Sequence, residues 1–241
     1  MERQLDFETP YDDRTHAGRV LADRLGAYRG KDVLVLGIPR GGVPVAAEVA
    51  RRLDADLDVV VARKLGAPDQ PELAIGAVTA NGGEFLNEEI LRAIGASGEY
   101  LERARKEQIA EARRREARFR GDRPIERIEG RVVVLVDDGL ATGATMRAAV
   151  RSVRKHQPAR LIVAVPVGSR EACDALRSEA DEVVCPSIPE YFGAVGYFYR
   201  NFDPTEDAEV ERILRGFAAS RATEARPPKE GRRDKTLSWP T

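Results

Sequence analysis

Four short apolar segments recur along the chain, and each is rich in valine. They are VLVLG (33–37), LDVVVA (57–62), VVVLV (132–136) and LIVAVPV (161–167). Their apolar residues are contiguous rather than alternating, which is typical of strands buried on both faces of a parallel sheet. We therefore predict four central strands, with DEVV (181–184) as a fifth and shorter one.

The intervals between these strands show helical periodicity. VPVAAEVARRL (43–53), MRAAVRSVRK (146–155) and REACDALRSEA (170–180) place apolar residues three or four positions apart. Alternating strands and helices predict an α/β fold, with an open, mainly parallel five-stranded sheet and helices on both faces. HAGRVLADRLGAY (16–28) and DAEVERILRGF (207–217) are also amphipathic, and each is expected to cap the sheet or to form a lid.

Residues 66–130 interrupt this rhythm and are predicted to form an insertion. AIGAVTANGGEFLN (74–87) has the pattern of a hairpin that turns at Asn81–Gly82. The highly charged segment 99–120 follows, and its sparse apolar stripe favours a solvated helix, with a dimer or RNA contact as alternatives. Residues 220–241 are polar and lack periodicity, so we expect a disordered tail after a single domain at 1–219.

Composition limits the function classes. The 241 residues carry a net charge of −1, which does not indicate general nucleic-acid binding, although a local basic patch remains open. Cys173 and Cys185 are not at metal-ligand spacing, and they are expected to be buried thiols of a cytosolic protein. The acidic N-terminal segment 1–14 has no apolar h-region, so we expect no signal peptide. No apolar run approaches the roughly 20 residues that cross a bilayer, so we expect no membrane span and a cytoplasmic location.

The segment VVVLVDDGLATGAT (132–145) concentrates the candidate chemistry. Asp137 and Asp138 directly follow a predicted strand, and small residues lead from them into a helix. Backbone N–H groups of such a loop, together with a helix N-terminus, can bind a phosphate. Carboxylates would repel that phosphate, but they accept hydrogen bonds from sugar hydroxyls and bind hard cations. The segment therefore predicts a site for a sugar phosphate and Mg²⁺.

This segment resembles the signature of the type I phosphoribosyltransferases, which transfer ribose 5-phosphate from 5-phosphoribosyl-1-pyrophosphate (PRPP) to a nitrogen acceptor. It is not a Walker loop, because no Gly-Lys-Ser/Thr is present. The resemblance implies that Asp137 and Asp138 hold the ribose hydroxyls and that Mg²⁺ binds mainly through the substrate, with these carboxylates as further candidate ligands. It assigns the 5′-phosphate to Ala141, Thr142, Gly143, Ala144 and Thr145.

The resemblance extends to two more segments. In GIPRGGVPV (37–45), it implies that Arg40 binds pyrophosphate, that Gly41 and Gly42 give backbone access, and that the Arg40–Gly41 peptide is cis. Arg63 and Lys64 match a basic pair that ends the next strand and contacts pyrophosphate, followed by a mobile loop, here the hairpin at 66–87. Asp137, Asp138, Arg40 and Lys64 are the implied catalytic residues.

Members of this family also have a hood that holds the acceptor. Residues 1–30 and 185–219 are the candidate hood, and together with the hairpin and helix insertion they complete the expected type I phosphoribosyltransferase fold. Tyr191, Tyr197 and Phe198 are candidate acceptor contacts, because a planar base can stack on an aromatic ring. They belong to an aromatic cluster that also includes Phe192 and Tyr199. Packing within the hood explains the same aromatic residues equally well.

The function predicted from the sequence is phosphoribosyl transfer from PRPP to a nitrogenous base, with pyrophosphate release, in nucleotide metabolism or salvage. The sequence does not identify the base, and a homodimer is expected by resemblance. The basic stretch RRREARFRGDR (113–123) motivates an alternative, a PRPP- or nucleotide-sensing regulator that binds RNA, DNA or protein. A PRPP synthetase ranks last, because no ATP-binding segment is evident.

Overall fold

A computed structural model describes residues 11–224 apart from 122, 124 and 125, and the side chains of 221–224 are not described. The strands are β1 (Val33–Gly37), β2 (Asp56–Val59), β3 (Ala62–Ala67), β4 (Gln70–Thr79), β5 (Glu84–Leu86), β6 (Val132–Val136), β7 (Arg160–Ala164) and β8 (Glu182–Val184). The α-helices are α1 (Arg14–Arg24), α2 (Gly42–Leu53), α3 (Glu88–Ile94), α4 (Gly98–Arg120), α5 (Ala144–Arg154), α6 (Arg170–Leu176) and α7 (Asp207–Glu224). Short 3₁₀ helices cover Gly26–Tyr28 and Val195–Phe198.

The central sheet has the order β2-β1-β6-β7-β8, and all four pairings are parallel. In the middle of the sheet, Val35 of β1 aligns with Leu57 of β2 and with Val134 of β6. The predicted five-stranded parallel sheet is therefore confirmed. The largest differences from the predicted boundaries are at the C-terminal ends of two strands, because β2 ends at Val59 and β7 ends at Ala164, each three residues earlier than predicted. Other strand ends of this sheet differ by one residue at most.

Helices cover both faces of this sheet, as predicted. On one face, Val35, Val134 and Ile162 pack in one cluster with residues of α1, α2 and α7. On the other face, Leu34, Leu135 and Val163 pack with α5 and α6. Consecutive strand residues thus alternate between two cores, which explains why the apolar runs of the sequence are unbroken.

The predicted insertion and the four residues before it form a second, antiparallel sheet of β3, β4 and β5. The hairpin predicted at Asn81–Gly82 is confirmed, and Gly82 has a φ of +73° at the turn. One face of this sheet packs on α5 through Ala77 and Phe85, and the other packs on α3 and α4 around Leu65. Strand β3 and helix α3 were not predicted.

The charged helix α4 is more deeply packed than the sequence prediction of a solvated helix. Its C-terminal turns bury Ala112 and Phe119, and Glu116 is only 7% exposed. Arg120 lies 3.1 Å from carboxylate oxygens of both Glu116 and Asp58 of β2. The prediction was wrong for this end of the helix, because a cation that pairs with two buried acids can be enclosed.

The two ends of the chain complete the description. Helix α7 continues to Glu224, so residues 220–224, predicted as the start of a tail, are helical, whereas 225–241 lie outside the described residues. Residues 1–10 of the predicted hood also lie outside them. Cys173 is a buried thiol and Cys185 a half-buried one. Among the described helices, none combines the length and the apolar composition of a membrane span.

Candidate active site

Two loops meet at the carboxyl edge of the central sheet, where open α/β sheets bind their ligands. The first loop links β1 to α2, and the second links β6 to α5. They lie side by side because β1 and β6 are neighbouring parallel strands, with Gly37 aligned to Val136. The N–H of Ile38 donates a hydrogen bond of 2.9 Å to the Val136 carbonyl and joins the loops directly.

Two adjacent glycines allow this close approach: Gly41 ends the first loop and Gly42 begins α2. A Cβ atom on Gly41 would overlap Asp138 Oδ2, and one on Gly42 would lie 2.7 Å from the Val136 carbonyl oxygen. The glycines therefore make room for the loop that bears the acidic pair. A non-proline cis peptide is present, but it joins Pro39 to Arg40, one residue before the predicted Arg40–Gly41 bond.

Each carboxylate of the acidic pair accepts a hydrogen bond through one of its two oxygens. Asp137 Oδ1 accepts a hydrogen bond of 2.8 Å from the N–H of Asp138, and Asp138 Oδ2 accepts one of 2.8 Å from Arg14 Nε. Tyr199 donates its hydroxyl to the Asp138 carbonyl at 2.6 Å. Among the described residues, no hydrogen-bond donor engages the second oxygen of either carboxylate. The pair therefore offers two hydrogen-bond acceptors.

Burial and mutual repulsion perturb these acids. Burial raises the pKa of Asp137 well above its ordinary value, and the neighbouring Asp138 charge raises it further. Burial also raises the pKa of Asp138, while the charge and hydrogen bond of Arg14 oppose that rise. Lys64 lowers the pKa of Asp137, so its ammonium acts on the acidic pair from β3. Acids whose pKa values are strongly shifted by burial and by specific charged neighbours are common in functional sites.

The loop after the acidic pair presents a row of backbone donors. Gly143 has a φ of +75° and precedes the first residue of α5. Among the hydrogen bonds of the described residues, none is donated by the backbone N–H groups of 141–145. Ser169 holds the loop from behind, because its hydroxyl donates to the Ala141 carbonyl at 2.7 Å. Thr142 is exposed and Thr145 half-buried, so this helix N-terminus can accept an anion.

The predicted basic residues are distributed around this edge. Arg63 and Lys64 lie on β3, and successive strand residues point to opposite faces. Lys64 acts on Asp137, whereas Arg63 Nε donates to Gln108 Oε1 of α4 at 3.1 Å. An open cleft of about 630 Å³ is lined by Arg63, Lys64 and Thr145, and also by Tyr100 and Arg103 of α4.

Arg40 lies in the first loop and faces the start of α7. Its Nη1 atom is 3.7 Å from Asp207 Oδ1 and 3.8 Å from Glu206 Oε2, and its side chain is 38% exposed. These are long contacts on a partly exposed group, so they hold Arg40 weakly. The side chain can therefore exchange them for an anionic ligand at modest cost.

The aromatic residues predicted to contact the acceptor differ in their exposure and packing. Tyr191 and Tyr197 are 80% and 79% exposed, and Phe198 stacks on Phe192 with ring centroids 5.5 Å apart. Tyr199 contacts the acidic pair, and a Cβ on Gly139 would overlap the side chain of Val195.

Two residues at this edge, Arg14 and Val195, were not predicted from the sequence, and Tyr199 was predicted only as a member of the aromatic cluster. The aromatic cluster was a signal for Tyr199, whereas Arg14 is one arginine among many on amphipathic helices and had no distinguishing pattern.

The acidic pair has the chemistry to share a divalent cation with a ligand. Carboxylate oxygens are the ligands that Mg²⁺ prefers, and the ion keeps several water or substrate ligands. Within the described residues, no group of three or more His, Cys, Asp or Glu side chains is placed to hold a metal alone. Mg²⁺ would therefore be held by Asp137 or Asp138 only together with oxygens of the substrate.

Comparison with known proteins shows the family to which the chain belongs. The family model described as "Phosphoribosyl transferase domain" matches residues 13–202. A protein of Mycobacterium tuberculosis H37Rv, "Putative phosphoribosyl transferase Rv0571c", is 47% identical over 219 residues, which are 89% of this chain and 49% of that protein. The chain thus spans about half the length of the curated relatives it matches. The crystal structure of TT1426 from Thermus thermophilus is 48% identical, with a TM-score of 0.73 over 86% of this chain and 99% of that one.

Proposed function

The chain belongs to the phosphoribosyl transferase family, and from this premise we propose that it binds PRPP with Mg²⁺ and transfers ribose 5-phosphate to a nitrogenous base. Pyrophosphate is the second product, and the first is a nucleotide. The proposal therefore assigns the protein to nucleotide metabolism.

One juxtaposition supports this function best. The unpaired N–H groups of 141–145 lie next to two carboxylates that each have one available oxygen among the described residues. The first group of atoms donates hydrogen bonds to a phosphate, and the second accepts them from vicinal hydroxyls. A ribose 5-phosphate carries both functions within one small molecule, so a single substrate would satisfy both halves of the site.

Departure of pyrophosphate leaves positive charge on the ribose and adds negative charge to the leaving group. Asp137 and Asp138 would orient the ribose and stabilise its developing charge, while Lys64 and Arg40 would neutralise the pyrophosphate. Arginine suits a forked phosphate contact, whereas lysine acts as a point charge. Asp137 or Asp138, together with substrate oxygens, would hold Mg²⁺, which would supply further neutralisation of the negative charge on the leaving group.

The base would approach the ribose from the segment 191–199. Support for this position comes from Tyr199 and Val195, which contact the loop of the acidic pair. Tyr191, Tyr197 and Phe198 remain candidate contacts for the base, and the two exposed tyrosines are available for stacking.

The regulatory alternative receives no comparable support. Arg114 and Arg115 pair with Glu111, and Arg118 pairs with Asp207 and Glu211. The basic stretch that motivated nucleic-acid binding is thus largely neutralised by acids of the same chain.

Pyrophosphate release from PRPP and Mg²⁺, measured with a panel of nucleobases, orotate and nicotinate, tests the proposal. We expect release with at least one acceptor and a loss of about a hundredfold or more in Asp138→Asn, which keeps the side-chain shape. Asp23→Asn is the matched control, because its side chain is 67% exposed and pairs with Arg52 on the surface. A wild-type protein that shows no PRPP binding by calorimetry would refute the proposal.

A further inference from the structure

Arg14 joins the first helix to the acidic pair. It is the first residue of α1, and its Nε atom donates to Asp138 Oδ2 at 2.8 Å across 124 residues of sequence. Its Nη1 atom donates to the Asp203 carbonyl at 2.7 Å, and its guanidinium carbon lies 4.0 Å from the centre of the Phe202 ring. Three separate contacts therefore fix both the position and the plane of this guanidinium.

This contact differs from an ordinary surface ion pair. The Arg14 and Asp138 side chains are 12% and 15% exposed, whereas Arg19 of the same helix is 70% exposed and lies 3.4 Å from Glu48. Solvent screening is weaker around an enclosed pair, and a charge-assisted hydrogen bond is stronger there than one in water. Arg14 can therefore control the orientation of Asp138, whereas the partner of Arg19 lies outside the site.

We propose that Arg14 is a positioning residue, which occupies one oxygen of Asp138 and thereby turns the other oxygen toward the ribose. This inference rests on the proposed function. The positive charge of Arg14 also offsets the repulsion between the adjacent carboxylates, so both acids can face the same sugar. Because Phe202 covers one face of the guanidinium and Asp203 engages its end, Arg14 acts through Asp138 rather than through the substrate.

The test is a double-mutant cycle on the affinity for PRPP with Mg²⁺, measured by calorimetry. We expect Arg14→Gln to weaken binding about ten- to a hundredfold, the range for loss of one charge-assisted hydrogen bond. In an Asp138→Asn background the same change should have little further effect, because its target is already altered. Arg14→Lys should recover part of the affinity by retaining the charge, and Arg19→Gln should bind like the wild type.

Several outcomes would overturn the inference. Additive losses in the cycle would mean that Arg14 does not act through Asp138, and a lysine variant as weak as the glutamine variant would exclude the charge as its contribution. Thermal melts establish that each variant is folded, and if Arg14→Gln is not, the cycle uses Arg14→Lys instead. Absence of PRPP binding by the wild type would remove the proposed function too, whereas wild-type binding with an additive cycle removes only this inference.

Discussion

The substitution Gly42→Ala, which adds a single methyl group, should displace the backbone that carries the candidate site. Gly42 is the first residue of α2, and a Cβ there would lie 2.7 Å from the Val136 carbonyl oxygen and 2.8 Å from Asp137 Cα. Both atoms belong to the backbone at the end of β6, which is hydrogen-bonded on each side within the sheet. They cannot rotate away as a flexible side chain would, so either the helix start or the acidic pair must shift.

The expected magnitude follows from two opposed effects. Helix propensity alone favours alanine over glycine by up to about 1 kcal/mol. Overpacking against a fixed backbone lowers the free energy of unfolding by about 1–3 kcal/mol. This steric cost should exceed the gain in helix propensity, because Gly42 is the first residue of its helix and gains little from propensity. For a chain of this size each kcal/mol shifts the melting temperature by about 2–4 °C, so Gly42→Ala should melt about 2–12 °C lower than the wild type.

Gly216→Ala provides the matched control. Gly216 lies inside α7, and a Cβ there would meet no atom of the described residues within 4 Å. The same substitution should therefore raise the melting temperature, by up to about 4 °C for a gain of about 1 kcal/mol. Thermal denaturation by circular dichroism measures both shifts, and calorimetry with PRPP and Mg²⁺ should show weaker binding only for Gly42→Ala. A Gly42→Ala protein that melts and binds like the wild type would refute the packing argument.

Three further changes have defined outcomes. Asp137→Asn should raise the melting temperature at pH 7 and abolish pyrophosphate release. Burial raises the pKa of Asp137 in the folded state, so ionisation of this group destabilises the native protein as pH rises. The melting temperatures of the variant and the wild type should therefore converge as pH falls toward the ordinary pKa of 3.8. Arg120→Met should lower the unfolding free energy measured in urea by about 3–5 kcal/mol, since Asp58 and Glu116 lose their buried cation, and an unchanged midpoint would contradict that role. Tyr199→Phe removes the hydroxyl group that donates a hydrogen bond to the Asp138 carbonyl. It should lower the free energy of unfolding by about 0.5–1.5 kcal/mol and slow pyrophosphate release, whereas a fully active variant would limit that residue to packing.

The sequence predicted those parts of the fold that have strong local patterns. β1 and β6 were predicted with the observed boundaries, because residues buried on both faces leave unbroken apolar runs. β3 was missed, because only one of its faces is well buried and ARKLGA contains two charged residues. The C-terminal half of α4 was predicted as solvated, because its charged residues gave no sign of the buried partner at Asp58 on another strand.

The candidate site divides in the same way. The acidic pair and the donor loop lie within one continuous segment, so their proximity could be predicted from sequence. The contact of Arg14 with Asp138 spans 124 residues and depends on how α1 packs across α2, which no local pattern encodes. The backbone access to pyrophosphate predicted for Gly41 and Gly42 stays a prediction, and the sequence did not indicate that atoms of 136–138 would lie next to their Cβ positions.

The neighbouring position of β1 and β6 has a consequence for the order in which the protein folds. In the chain, β2 to β5 and α2 to α4 separate these two strands, yet their loops form the site together. Closing so long a segment costs entropy before any contact compensates for it, so pairing of β6 with β1 should be slow. During synthesis, β1 must wait with one hydrogen-bonding edge uncovered until β6 has left the ribosome. A ligand that contacts both loops can therefore stabilise only chains in which β6 has already paired with β1. It does not stabilise the earlier folding intermediates, whose uncovered strand edge is most prone to pair with strands of other chains.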